Sequence, residues 1–380
     1  MENKRITWVE ISQSALKHNI RQFTRIIKPP TELLAVVKSN AYGHGIVEAA
    51  RIIKRAGVNW LATVNLDEAL LLRKNGIAGR ILVLSYFHPD KLADALKHNI
   101  TLTVYSLHAA QQLDTIGRRI KKNAIVHFKV DTGTSRLGLR PEQSLKQIQK
   151  ISTLKNVRLE GVFSHFADAE NPTQRVTMRQ IKKFSSLLES LSASGIDIPL
   201  RHIACSAATI LNKASHFDLV RIGISLYGLW SVEKDGLPVQ ILHKNFSLKP
   251  VLSWKTRIIQ IKEIERGSAI GYGCTYTAKK KLTIAVLPVG YWEGYDRKLS
   301  NTGAVLIRGM RCPIRGRICM NLTMVDVSHL KSVRTGDSAT LIGKDGPQTI
   351  TADELAEKVG TINYEIVTRI NPLIPRIITD

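Results

Sequence analysis

The chain has 380 residues, of which 44% are hydrophobic and 23% charged, and it carries a formal net charge of +24. That length is too great for one small core and predicts two domains of an ordinary soluble, globular composition. No apolar run reaches the roughly 18 residues needed to cross a bilayer, which excludes a helical membrane span.

The opening stretch, MENKRITWVE, lacks the apolar core of a signal peptide, so a cytoplasmic location is expected. The first strand-like run, Leu33–Val37, delivers Lys38 to its end, next to the turn-forming string SNAYGHG. A lysine there can hold an amine at the mouth of a sheet and form a Schiff base with an aldehyde cofactor; a snorkelling surface lysine fits the same spacing. Further apolar runs follow at Trp60–Val64, Ile81–Leu84, Thr101–Val104, Ala124–Val130, Leu159–Phe163, Leu200–Ala204 and Leu219–Ile222. Helical periodicity separates several of them, at Val47–Arg55, Leu66–Lys74, Pro89–Lys97, Leu107–Ile120 and Thr173–Leu191. This alternation predicts an α/β fold, a (β/α)8 barrel over residues 1–240. A doubly wound open sheet shares the alternation, but eight consecutive units favour closure.

After about Leu237 the texture changes to strand-like runs, Val251–Ile261, Leu282–Val289, Ala304–Ile307, Met324–Val327 and Ala339–Ile342, punctuated by Gly and Pro. A mostly β C-terminal domain is therefore expected over 241–380, with one helix at Ala352–Val359 capped by Thr351. Ser231–Val239 is the expected linker.

Lysines and arginines are spread along the chain, and the dense clusters Arg118–Lys122 and Lys279–Lys281 are short and lack interleaved aromatics. No specific nucleic-acid partner is expected, only non-specific sticking at low salt. Cys205, Cys274, Cys312 and Cys319 form no CxxC pair and have no histidine at zinc spacing, so free thiols and no metal are expected.

Reactive groups of a (β/α)8 barrel gather at the C-terminal ends of its strands. Lys38 follows strand one, Lys129 closes strand five, Arg136 lies in the loop beyond, and His165 follows strand six. Cys205 and Ser206 follow strand seven, and Arg221 and Gly223 end strand eight. Each has a plainer reading: Arg221 paired with Asp218, His165 a satisfied polar residue under a loop, Lys129 facing the surface. Their joint placement on one face weakens those readings. The small residues Ser206, Ala207, Gly223 and Ser225 could present backbone N–H groups to a phosphate, with Tyr42 adding a hydroxyl.

The string AVVKSNAYGHG resembles the cofactor-lysine motif of alanine racemases, and the similarity extends through both expected domains. The resemblance implies a pyridoxal-phosphate-dependent amino-acid racemase that interconverts L- and D-alanine and supplies D-alanine for peptidoglycan. It implies that Lys38 binds the cofactor aldehyde, that Tyr42, Ser206, Gly223, Ile224 and Tyr364 hold its phosphate, and that Arg221, oriented by His165, faces the pyridine nitrogen. Arg136 would lie near the cofactor's phenolic oxygen and the substrate carboxylate. Lys129 aligns with a lysine that family members often carry as a carbamate, an anion that could pair with Arg136.

Racemisation needs a proton removed from one face of Cα and returned to the other, most simply by two bases. Lys38 is one; a tyrosine, at about pKa 10, matches a lysine at about 10.4. The string AIGYGCTYTA resembles the family's segment bearing that second base, which makes Tyr272 the base donated to a neighbouring subunit and implies a homodimer. Tyr291 in GYWEGYDR would line the substrate entrance, and Met320 in GRICMNL would lie near the substrate carboxylate. An arginine rather than a carboxylate at the pyridine nitrogen favours the unprotonated ring and suits a racemase better than a transaminase. This chain departs from the family at Asn321, commonly Asp, and at Trp292–Glu293, commonly Ala–Asp or similar. A racemase of serine or of a broader amino-acid set is the nearest rival.

Overall fold

The computed structural model describes residues 5–231 and 246–380, and forms two compact units. One comprises Leu16–Ala41 and Ala49–Lys249; the other comprises Met1–Ala15, Tyr42–Glu48 and Pro250–Asp380. Of the expected linker Ser231–Val239, all but Ser231 lies outside the described residues.

The first unit is built on eight parallel strands: Glu32–Val36, Trp60–Thr63, Arg80–Val83, Thr101–Val104, Ala124–Lys129, Val157–Phe163, Leu200–His202 and Leu219–Ile222. Each pairs with the next in chain order up to the seventh, and the eighth returns to the first with Leu33 opposite Val220. That return excludes the open doubly wound sheet. The seventh and eighth are tied by the Arg221 amide donating to the Ala204 carbonyl at 3.1 Å, and the Asp218 amide to Arg201 at 3.0 Å. The result is a nearly closed barrel. Its strands are buried on both sides, which is why they read as continuous apolar runs rather than alternating ones.

Helices between strands start where capping residues stop the strand chemistry. Asn65 accepts from the Glu68 amide to open Leu66–Lys74, and Ser106 from the Ala109 amide to open Leu107–Ile120. The helices Gln13–Ile26 and Pro141–Ser152 were not expected from the sequence pattern. Among the described residues, no helix is long and apolar enough to cross a membrane.

The second unit is mostly β. Its main sheet runs Met310–Pro313, Ala304–Ile307, Ser338–Asp345, Leu252–Arg257, Thr7–Ser12 and Arg376–Thr379, with Gln348–Ile350 paired off the third of these. A three-stranded sheet holds Gln260–Ile264, Leu282–Leu287 and Thr323–Asp326. The expected single strand Val251–Ile261 is therefore two strands in different sheets. The chain changes sheets where the Ile258 amide bonds Asp337 and the next amide, of Ile259, bonds Val286. Thr351 caps Ala352–Val359 by accepting from the Glu354 amide at 3.0 Å.

Candidate active site

The C-terminal ends of the barrel strands hold the expected groups. Val37 extends the first strand's ladder through a 2.8 Å bond to the Ala62 carbonyl, and Lys38 comes next. Ser39, Asn40, Ala41 and Tyr42 then all adopt φ between 52° and 55°, a left-handed turn that L-residues avoid at about 1–2 kcal/mol each. The turn is held by the Ala41 amide on the Val37 carbonyl at 2.9 Å and the Asn40 amide on Glu68 Oε1 at 3.0 Å. Glu68 thus clamps the turn that presents Lys38, a role the sequence pattern did not reveal.

Lys129 ends the fifth strand, buried, with Nζ 4.5 Å from the centroid of the Phe163 ring. Arg136 is exposed in a loop organised by Asp131, whose carboxylate accepts from the amides of Gly133 and Thr134 at 2.8 Å and of Arg136 at 3.2 Å. His165 lies two residues beyond the sixth strand.

These cations sense one another. Burial first, then the charge of Arg136, lowers the Lys38 amine from its ordinary value, against an opposing pull from Glu68. Burial, Arg221 and Arg136 push Lys129 far down, with Asp131 opposing. Burial and the same cations hold His165 neutral. A cluster of this sign, short of carboxylates, is chemically matched to an anionic ligand.

Arg221 sits within the last barrel strand, 5% exposed, and its partners carry no negative charge. Nη1 donates to His202 Nδ1 at 2.8 Å; Nη2 donates to the carbonyls of Ser164 at 2.8 Å and Ile203 at 2.9 Å and to His165 Nδ1 at 3.2 Å. Burial brings its pKa down to about 10, still charged at neutral pH. The alternative pair with Asp218 is not made, because Arg201 takes that carboxylate at 2.7 Å. His202 joins His165 as a holder of Arg221. Its signal in sequence was only its position near the end of an apolar strand.

On the two neighbouring turns, Ser206 Oγ accepts from the Gly223 amide at 3.0 Å, and Ile224 follows. Close by in sequence, Ser225 Oγ is buried with no hydrogen-bond partner among the described residues.

The remaining expected residues belong to the other compact unit. Tyr42 and Tyr364 meet edge to face, centroids 6.1 Å apart. Gly43, at φ +83°, lies so close to the chain that an added Cβ would stand 1.9 Å from the Val367 carbonyl oxygen. Tyr272 tips a hairpin of Ala269–Ile270 and Tyr276–Thr277 between two glycines at positive φ, and is 73% exposed. That tip packs on Arg317, since a Cβ at Gly273 would meet its guanidinium at 2.6 Å. Tyr291 and Trp292 donate backbone N–H bonds to the carbonyls of Cys319 at 3.1 Å and Met320 at 2.9 Å. One region of this unit therefore presents Tyr272, Tyr291 and Met320, all exposed.

Known proteins match this arrangement along the whole chain. Residues 11–231 match the family described as alanine racemase, N-terminal domain, and residues 251–378 match alanine racemase, C-terminal domain. The alanine racemase of Methanococcus maripaludis is 44% identical over 97% of this chain and 98% of its own. The solved alanine racemase of Clostridium difficile 630 superposes with a TM-score of 0.94 at 34% identity, covering 100% of this chain and 97% of that one. A solved histidine racemase from Leuconostoc mesenteroides subsp. sake gives 0.90 at 29% identity, covering 100% and 99%.

Proposed function

The chain belongs to the alanine racemase family, and on that footing we propose that it is a pyridoxal-phosphate-dependent isomerase interconverting L- and D-alanine. The observation that carries the reading is the pairing, at one barrel mouth, of a lysine with a lowered amine pKa and a buried arginine with no carboxylate partner.

The residues present fit the cofactor. Lys38 can reach its unprotonated, nucleophilic form more easily than an exposed lysine. The cation cluster suits a phosphate ester, and the unpartnered Ser225 hydroxyl sits next in sequence to Ile224. Tyr42, Ser206, Gly223, Ile224 and Tyr364 hold the phosphate in this reading. Pyridoxal phosphate, bound covalently at Lys38, supplies an electron sink that acidifies the Cα–H of the bound amino acid.

Arg221 would face the ring nitrogen and keep its own proton, which would limit the sink and favour return of the proton to Cα. His165 orients that guanidinium. Lys38 Nζ, once the substrate amine has displaced it from the cofactor aldehyde, would take or return the Cα proton on one face. Tyr272 of the partner subunit does so on the other, and its exposure at a hairpin tip suits a residue that completes a neighbour's site. Arg136 receives the substrate carboxylate in this reading, Met320 contributes near that carboxylate, and Tyr291 lines the substrate entrance. The unprotonated Lys129 amine adds to carbon dioxide, releasing a proton, and the resulting carbamate neutralises Arg136. A homodimer in the cytoplasm, supplying D-alanine for peptidoglycan, completes the proposal.

Borohydride reduction followed by peptide mapping tests it. Label at Lys38 is expected, and label elsewhere or nowhere overturns the reading. A second reading, racemisation of a larger amino acid, draws on the histidine racemase neighbour and on Trp292, Glu293 and Asn321. Assays on L-alanine, L-serine and L-histidine in deuterated water separate the two; alanine is expected to turn over fastest, with deuterium at Cα.

A further inference from the structure

The interior of the barrel holds a second set of titratable groups that the proposed chemistry does not use. His127 and His202, both fully buried, lie on strands five and seven, which are not neighbours. Their rings meet over strand six, with centroids 5.1 Å apart. Gly161 makes this possible, because a Cβ there would stand 2.7 Å from His127 Nδ1. His202 also stacks on Phe163, centroids 4.7 Å apart and rings 2° from parallel.

Strand pairing explains a third member, Glu160. Val126 lies opposite Leu159, but His127 lies opposite Gly161, so Glu160 is the extra residue of a bulge. Bulges re-aim side chains, and here a buried carboxylate is turned toward His127. Its Oε2 is 3.4 Å from His127 Nε2, while its Oε1 is 2.6 Å from Arg158 and 3.2 Å from Arg80. These lie at the end of the barrel remote from Lys38, where Arg73, Arg80, Arg158 and Glu160 help line a cavity of about 490 Å³.

The chain of bonds has one direction. A guanidinium can only donate, so His202 Nδ1 accepts from Arg221 and its proton resides on Nε2. That proton points to His127 Nδ1, 2.9 Å away, which leaves the His127 proton on Nε2, facing Glu160. We propose that Glu160 is a positioning residue for Arg221, its carboxylate fixing the tautomers of His127 and His202 and through them the guanidinium. Burial keeps both imidazoles neutral, against the pull of Glu160 on His127 and with the push of Arg80 and Arg221. Burial opposes ionisation of Glu160, but His127, Arg80 and Arg158 hold it as a carboxylate. Without that acceptor His127 could carry its proton on Nδ1 and face the His202 N–H. His202 would then have to turn its own proton toward Arg221, donor against donor. Fully satisfied buried networks specify one arrangement, and partly satisfied ones do not.

The inference rests on the reading of Arg221 as the group facing the cofactor, and its test begins without cofactor. Histidine-selective 15N labelling of the full-length, cofactor-free protein reports which ring nitrogen carries the proton. Both His127 and His202 are expected as Nε2–H tautomers in the unsubstituted protein; Nδ1–H at either overturns the proposal even if no variant folds. In Glu160→Gln, whose amide can donate to His127, both rings are expected to leave the pure Nε2–H state, whereas Glu160→Asp keeps it. In the cofactor-loaded enzyme Glu160→Gln should lower kcat on the order of tenfold, the scale of outer orienting partners, with KM for alanine changed less than twofold and the visible absorption band displaced. Unchanged tautomers in Glu160→Gln, or changed tautomers with unchanged kcat and absorption, overturn it. Failure of the racemase reading would show instead as the absence of label at Lys38.

Discussion

The side-chain amide of Asn321 donates to the Glu293 carboxylate at 2.8 Å, and the other Glu293 oxygen accepts from the Gly290 amide at 2.8 Å. Two positions that the sequence reading sets apart from the family pattern are thus partners of each other. An aspartate at 321 would face Glu293 with like charge; an amide makes the acidic neighbour tolerable. The pair ties the turn bearing Tyr291 to the loop bearing Met320. Asn321→Asp should destabilise the fold by about 1 kcal/mol, the net worth of one such bond, and raise KM for alanine. Glu293→Gln in the same chain should restore most of the loss. Urea midpoints and steady-state kinetics on the single and double variants check this.

Tyr272→Phe removes the phenolic proton while keeping the ring at the hairpin tip. If Tyr272 serves one face of Cα, proton exchange from L-alanine should fall by at least about a hundredfold, the lower range for general acid–base catalysis. Exchange from D-alanine through Lys38 should persist. Equal loss from both enantiomers, followed by deuterium incorporation, would remove the one-face assignment.

The buried histidines make stability depend on acidity. His165 and His202 have folded pKa values far below the ordinary 6.5, because burial first and then Arg221 disfavour the charged ring. Below 6.5 the unfolded chain binds protons that the folded chain does not, so stability present above that pH is lost as pH falls. Each histidine contributes up to about 1.4 kcal/mol per pH unit in that window. Unfolding midpoints between pH 7 and 5 should therefore drop, and His202→Asn, which keeps an acceptor for Arg221, should flatten the slope.

Ser39 is exposed yet adopts φ 55°. Glycine enters that region without steric cost, so Ser39→Gly should stabilise the cofactor-free protein by about 1 kcal/mol. Denaturant titration measures it; a destabilised variant would mean that the serine hydroxyl holds the turn.

The eight barrel strands were legible because burial on both faces writes itself as unbroken apolar runs such as WLAT and TLTV. The groups after each strand followed from chain order alone. The helix Gln13–Ile26 was missed because its buried stripe is narrow, carried by Leu16, Ile20 and Phe23 amid polar residues. Pro141–Ser152 opens after Arg140 without a side-chain cap, and its start is marked only by Pro141 at the first helical position and Glu142 in the first turn. The break at Ile258 depends on partners distant in sequence. So do the roles of Glu68, His127, His202 and Glu160. A bulge is a property of register between two strands, and neither VRLEGVF nor AIVHFK shows it alone.

The position of Thr7–Ser12, between Leu252–Arg257 and Arg376–Thr379, bears on how the protein is made. This segment leaves the ribosome long before either strand it joins, and only Arg376–Thr379 emerges near the close of translation. The barrel can assemble once Leu219–Ile222 has appeared, while Trp8, Val9 and Ile11 wait without a sheet to bury them. A nascent chain of this kind exposes those apolar side chains until Leu252–Arg257 emerges, an aggregation hazard during synthesis. Trimming a few residues at the start would therefore injure the last part of the protein to fold rather than the first.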